Sequence, residues 1–130
     1  MYKNFLQWAA VLGALAVALG AFGAHSLKQY VPVETISTFE TGVRYQFYHV
    51  FALLLAGVLW ERFPGKWMRY AGYCFLIGIL LFSGSLYLLT FLKATNTIGL
   101  TGLGIITPFG GVFFIGGWIC LLLGIRSNAL

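Results

Sequence analysis

The chain has 130 residues, 60% of them hydrophobic and only 8% charged, with a formal net charge of +5. Soluble domains carry about 25% charged residues, so this composition, with a mean hydropathy of +0.89, places the chain in the membrane class. The basic residues stand at the ends of apolar runs and form no stripe on one face; this argues against a nucleic-acid partner and fits membrane orientation.

An apolar helix needs about 20 residues to cross the hydrocarbon core. Phe5–Ala24 meets that length and is the first expected span. It exceeds the roughly 7–15 residues of a signal-peptide core, so it is expected to stay as a membrane helix. Ala9, Gly13, Ala16, Gly20 and Ala24 give overlapping small-xxx-small spacings. Such positions let a neighbouring backbone approach closely, and packing inside the molecule is expected of them rather than a homodimer face. A short polar linker, 25–36, comes next.

The second span is expected over 38–60. Ser37 followed by Glu40 fits the S-x-x-E capping pattern and accounts for Glu40 as a cap. At 100° per residue, Thr41, Arg44, Tyr45, Tyr48, His49 and Ala52 fall within one arc of about 140°. An arc this polar is expected to face sister helices or a wet pocket rather than lipid. Arg44 is near enough to the helix start to snorkel to the headgroups. His49 is too deep for that and needs a partner: a tyrosine, a serine or a backbone carbonyl if its role is structural, a proton or a ligand if it is functional.

Glu61–Lys66 is a tight turn marked by Pro64-Gly65. The third span is expected over 67–92, with Gly72, Gly78, Ser83, Gly84 and Ser85 as its small residues. Its serines are expected to bond their own helix or a neighbour. The last apolar run, Ala94–Ile125, is uncharged for 32 residues. As one helix it would be about 48 Å long against a ~30 Å core. Thr107-Pro108 reads as an N-cap followed by Pro at the first helical position, so the fourth span is expected over 107–124. The Gly-rich stretch before it (Gly99, Gly102, Gly104) is then interfacial or re-entrant; the alternative is one long helix kinked at Pro108.

The expected fold is therefore all-α, an integral membrane four-helix bundle in a single domain. Four spans put Lys3, Arg62, Lys66, Arg69 and Arg126 on one side and Lys28 and Lys93 on the other. The positive-inside rule then makes both termini cytoplasmic.

Cys74 and Cys120 lie inside apolar runs, with no zinc-type spacing, and read as apolar fillers. Bis-histidine haem needs two rings at one depth, whereas His25 and His49 differ by more than ~10 Å of helix rise. No cofactor or metal is expected. Paired catalytic carboxylates, H-E-x-x-H, G-x-S-x-G and a phosphate loop are missing from the sequence, so no enzymatic activity is expected.

Five blocks occur in order: GAFGAH (Gly20–His25), F-x-T-G-x-x-Y-Q-x-Y-H (Phe39–His49), FSGSLY (Phe82–Tyr87), TPFGG (Thr107–Gly111) and Gly117-Trp118. With them the chain resembles, over essentially its whole length, the YgdD/YwdK family of small inner-membrane proteins, which also includes human transmembrane protein 256. The resemblance implies a four-helix plasma (inner) membrane protein and no activity, the family being one of unknown function.

On the expected topology the family blocks gather in the outer half of the membrane. That shared depth, with the arc on the second span, suggests one outward-facing polar pocket lined by His25, Arg44, Tyr45, Tyr48, His49, Ser83, Tyr87 and Thr107. A lipid headgroup, or a small anionic or quinone-like ligand, suits such a pocket, and makes the protein a binding or accessory membrane protein. The alternative is a small channel or transporter component with a proton or ion path through His49. The expected partners are the lipid bilayer, such a ligand, and a homo-oligomer or membrane-complex partner.

Overall fold

Four helices long and apolar enough to cross a bilayer account for most of the computed structural model, which describes residues 2–95 and 104–127. They are α1 (Lys3–His25), α2 (Val33–Leu59), a third span running from Lys66 to Ala94, and α5 (Ile106–Ser127). The third span has three parts: α3 (Lys66–Gly78), a π-helical turn (Ile79–Ser83) and α4 (Gly84–Ala94). No strand occurs among the described residues.

The helix ends correct several expectations. α2 opens at Val33, not after Ser37. Pro32, held extended at φ −72° and ψ 169°, is its N-cap residue, and Glu34 sits in the first turn, where a carboxylate complements the helix dipole. The Ser37–Glu40 pair is therefore inside the helix and caps nothing. The turn between α2 and α3 depends on Gly65, whose φ of 144° is a conformation L side chains rarely adopt. α4 closes at Ala94 and α5 opens at Ile106, so the chain does not run as one helix kinked at Pro108. Pro108 lies in the first turn of α5, where a missing N–H costs nothing. The stretch 96–103, with the expected re-entrant or interfacial piece, lies outside the described residues.

Helices in lipid gain little from hydrophobic burial and associate through close packing, which small residues permit. α1 follows this rule against α2. Gly13 faces Val50 and Gly20 faces Val43, each with 3.5 Å from a built Cβ to the valine Cγ1, while Leu6 covers Gly57. Ala9 and Ala16 are fully buried. The small-residue spacing read in the first span is thus used inside the molecule, although Ala24 is exposed.

The most extensive helix contact joins α3 to α5. Along it Gly124, Gly117 and Gly110 meet Met68, Phe75 and Phe82 at seven-residue intervals, and in between Phe114 covers Gly78. Each layer sets a large side chain on one helix against a glycine on the other. At Gly110 the approach is backbone to backbone, a built Cβ overlapping the Phe82 amide nitrogen.

One end of the bundle is closed by aromatic rings. Tyr2 stacks on Phe5 at 4.2 Å and meets Trp60 edge-on at 4.9 Å. The Tyr2 hydroxyl lies 3.3 Å from that of Tyr73, and this hydrogen bond, with burial, raises the Tyr2 phenol above its ordinary pKa. The outward faces of α1 and α5 are apolar: Val11, Leu15, Val17 and Phe22 on one, Phe109, Val112, Ile115 and Leu122 on the other. These faces lie against lipid.

Candidate functional site

The buried face of α2 is centred on Gln46, not on the predicted polar arc. Phe39, Gly42, Val43, Gln46, His49, Val50 and Leu53 are all buried. Arg44 and Tyr48 are exposed, Tyr48 at 52%. Tyr45 and His49 stand at the flank between these two faces. Polar groups on one arc of a membrane helix do not behave alike: His49 and Ala52 are buried, Arg44 and Tyr48 exposed. Arginine reaches a headgroup along its own methylenes, and a tyrosine offers lipid an apolar ring.

Gln46 is 2% exposed and both ends of its amide are engaged. Its Nε2 donates to the Leu12 carbonyl on α1 at 2.7 Å. Since that carbonyl can only accept, the NH₂ must face it, leaving Oε1 to accept from the Tyr87 hydroxyl on α4 at 2.6 Å. One turn away, Ser83 donates to the Gly42 carbonyl at 2.6 Å. A helical turn widened by one residue rotates the remainder of the helix by about 100°. From the end of the π turn onward, Ser83, Leu86 and Tyr87 face α2, where Leu86 and Tyr87 lie against Gly42. Ser85 bonds the Phe82 carbonyl of its own helix at 2.8 Å and the Thr107 hydroxyl of α5 at 2.6 Å. Thr107 therefore pairs with Ser85 and is not an N-cap.

His49 is 5% exposed, wedged between the rings of Phe75 and Phe114. Nδ1 lies 2.8 Å from the Tyr45 carbonyl, which can only accept, so Nδ1 carries the proton. The indole N–H of Trp118 donates to Nε2 at 3.1 Å, which requires a lone pair there. The two bonds define a neutral imidazole in the Nδ1–H form. The histidine is thus satisfied by a backbone carbonyl, as expected of a structural role, and by the indole of the Gly117-Trp118 block.

Between α2 and α5, beside this histidine, lies a recess of about 540 Å³. Its walls are Tyr45, Tyr48, His49, Phe82, Phe114 and Trp118, with Gly111 and Ile115 from α5. Tyr45 packs on Phe82 at 4.8 Å and edge-on against Tyr48 at 5.6 Å. Gly111 opens toward it, the nearest atom to a built Cβ being Phe82 Cδ2 at 4.0 Å.

The structure thus divides the eight expected pocket residues. Tyr45, Tyr48 and His49 share the aromatic recess. Ser83 and Tyr87 belong to the Gln46 network on another side of α2, and Thr107 to the clip with Ser85. His25 ends α1, exposed, and Arg44 is exposed one turn from Tyr48. One pocket holding all eight is not formed. Gln46, Phe82, Phe114 and Trp118 were missed; the signal for Gln46 was its place in the Y-Q-x-Y-H block. Among the described residues no group of three or more His, Cys, Asp or Glu side chains is placed to hold a metal ion.

Residues 19–111 match the family described as "Protein of unknown function (DUF423)". The chain is 42% identical over 131 residues to a UPF0382 membrane protein of Haemophilus influenzae, covering 100% of both chains. It is 40% identical over 121 residues to the UPF0382 membrane protein YwdK of Bacillus subtilis, covering 92% of this chain and 94% of that one. To the UPF0382 inner membrane protein YgdD of Escherichia coli it is 37% identical over 122 residues, covering 94% and 88%. No solved structure matches it. With matches of this breadth, and four helices able to span a bilayer, the chain belongs to the DUF423 family and is a multi-pass integral membrane protein, as its sequence blocks anticipated.

Proposed function

We propose that the protein is a binding or accessory component of the membrane, and that the recess between α2 and α5 takes an amphiphile. The observation that carries this reading is the recess itself, about 540 Å³ with walls of aromatic rings. A ring or the first chain segment would lie among Phe82, Phe114 and Trp118. The polar end of a quinone-like ligand would meet the Tyr45 and Tyr48 hydroxyls; an anionic headgroup, held nearer the membrane edge, would be met by Arg44, one turn from Tyr48 toward the start of α2. Apolar walls with a few polar groups at the rim are the usual make-up of small-molecule sites. His49 acts here by fixing Trp118. With both its nitrogens already engaged, the geometry favours binding over a proton path through the imidazole.

The test is native mass spectrometry of detergent-purified protein, with phosphatidylglycerol and a decyl-substituted benzoquinone as probes. Gly111→Leu fills the recess from a position where a Cβ meets nothing closer than 4.0 Å. Binding of at least one probe should fall about tenfold or more in that variant, with thermal stability kept. Arg44→Gln separates the two chemistries, weakening the anionic lipid and leaving the quinone. Equal binding of both probes by the wild type and Gly111→Leu would refute the proposal.

A further inference from the structure

A second cavity lies on the other side of α2, between α1 and the third span, with a volume of about 590 Å³. Leu12, Leu15 and Leu19 form one wall, and Leu76, Leu80 and Gly84 the other. It extends from the level of Trp8 to that of Leu19, about 16 Å at 1.5 Å per residue. Its lining is apolar except at the floor, where Gln46 and Tyr87 stand.

Two independent features set this groove apart from an ordinary gap between helices. The first is the polar floor. Gln46 uses one amide hydrogen on Leu12 and one oxygen lone pair on Tyr87, so among the described residues a second N–H and a second lone pair of its amide remain. The second is Gly84. Glycine inside a helix is less favourable than alanine, and along the α3–α5 seam that cost is offset by close packing. At Gly84 a built Cβ meets nothing within 4 Å. Among the described residues no neighbouring atom accounts for the missing side chain, and a glycine of this kind suits close approach by something from outside the chain.

Depth selects the chemistry. α1 is centred on Ala14, next to Gly13, which packs on Val50. Gln46 is one turn from Val50 and so within about 6 Å of the bilayer midplane. The ester and headgroup atoms of a phospholipid lie at the edge of the ~30 Å core, about 15 Å from that plane. A polar atom delivered to Gln46 has to belong to a molecule whose polar end is uncharged and able to enter the membrane interior.

We infer that the groove between α1 and the third span is a binding site for a neutral, chain-bearing lipid whose carbonyl or hydroxyl group hydrogen-bonds to the Gln46–Tyr87 pair. A quinone supplies the carbonyl, an isoprenoid alcohol the hydroxyl, and the apolar walls take the chain. This site is separate from the recess between α2 and α5 and stands or falls without it.

The experiment uses the full chain in detergent, with three probes added in turn: a decyl-substituted benzoquinone, farnesol and dodecane. Binding is read by native mass spectrometry. The quinone, the alcohol or both should bind at least tenfold more tightly than dodecane, and whichever binds identifies the source. Tyr87→Phe should remove most of that preference. In the Gly111→Leu background, with the other cavity filled, a head-bearing probe should still bind, and adding Gly84→Leu should abolish that binding. Should Gly84→Leu not fold, Leu15→Trp closes the same groove from the lipid-exposed side of α1 and should give the same loss. Dodecane binding as well as the head-bearing probes, a groove-filling variant that binds normally, or a dimer dissociated by Gly84→Leu would each overturn the assignment, the last by making a second copy the occupant.

Discussion

Trp118 holds His49 from the opposite helix: the indole N–H reaches Nε2 across 3.1 Å while the Phe114 ring lies 3.5 Å from the imidazole and nearly parallel to it. Hydrogen bonds between membrane helices are worth about 0.6–1.7 kcal/mol by double-mutant cycles. A cycle of Trp118→Phe and His49→Phe, read by thermal or denaturant unfolding in detergent, should give coupling in that range. Nitrogen-15 shifts of the His49 ring should show the proton on Nδ1. Zero coupling, or a proton on Nε2, would contradict the geometry.

Gly110 and Gly111 are adjacent glycines with opposite tolerance. A Cβ on Gly110 overlaps the Phe82 backbone, whereas one on Gly111 comes no nearer than 4.0 Å to Phe82 Cδ2. Overpacking costs about 1–3 kcal/mol. Gly110→Ala should destabilise by that amount, and Gly111→Ala should be neutral or slightly stabilising through helix propensity. Melting temperatures of the two purified variants decide the matter.

The Gln46 network should show the asymmetry of buried hydrogen bonds. Leaving a buried donor or acceptor unmatched costs about 1–3 kcal/mol, while removing both partners can be nearly neutral. Gln46→Leu strands the Tyr87 hydroxyl, and Tyr87→Phe deprives the Gln46 oxygen. Unfolding measurements should find each single variant destabilised and the double variant less so than the sum of the two.

Orientation offers a test independent of packing. Lys3, Arg62, Lys66, Arg69 and Arg126 are all exposed, and the order of the spans gathers them at one end. That end is expected to face the cytoplasm. A fluorescent protein fused to the C-terminus should be bright, and an alkaline phosphatase fused there inactive. The reverse pattern would invert the topology.

The four crossings were legible because bilayer thickness demands a length of apolar chain that little else produces. The inward role of Gly13 and Gly20 could likewise be read from their spacing. The side of α2 that turns inward could not. Polarity alone assigned Arg44 and Tyr48 to the interior, but their length and amphipathic character let them face outward, while the uncharged Gln46 took the centre. The π turn left no trace, since Ile79–Ser83 has the composition of ordinary apolar helix. The seven-residue spacing of Gly110, Gly117 and Gly124 stood in the sequence, yet it marks a seam only when Phe82, Phe75 and Met68 are known to lie opposite.

That seam works like a key in a lock. Sliding α5 along the third span by one turn would drive phenyl rings into one another and leave the glycines facing empty space, so piston-like travel of the last helix is barred. α1 is held differently. Close fits tie its two ends to α2, Leu6 on Gly57 and Phe39 on Gly23, while between them Gly13 and Gly20 meet valines at ordinary contact distance. A guest entering beside α1 would therefore meet its looser middle, clamped at both ends as a bowstring is.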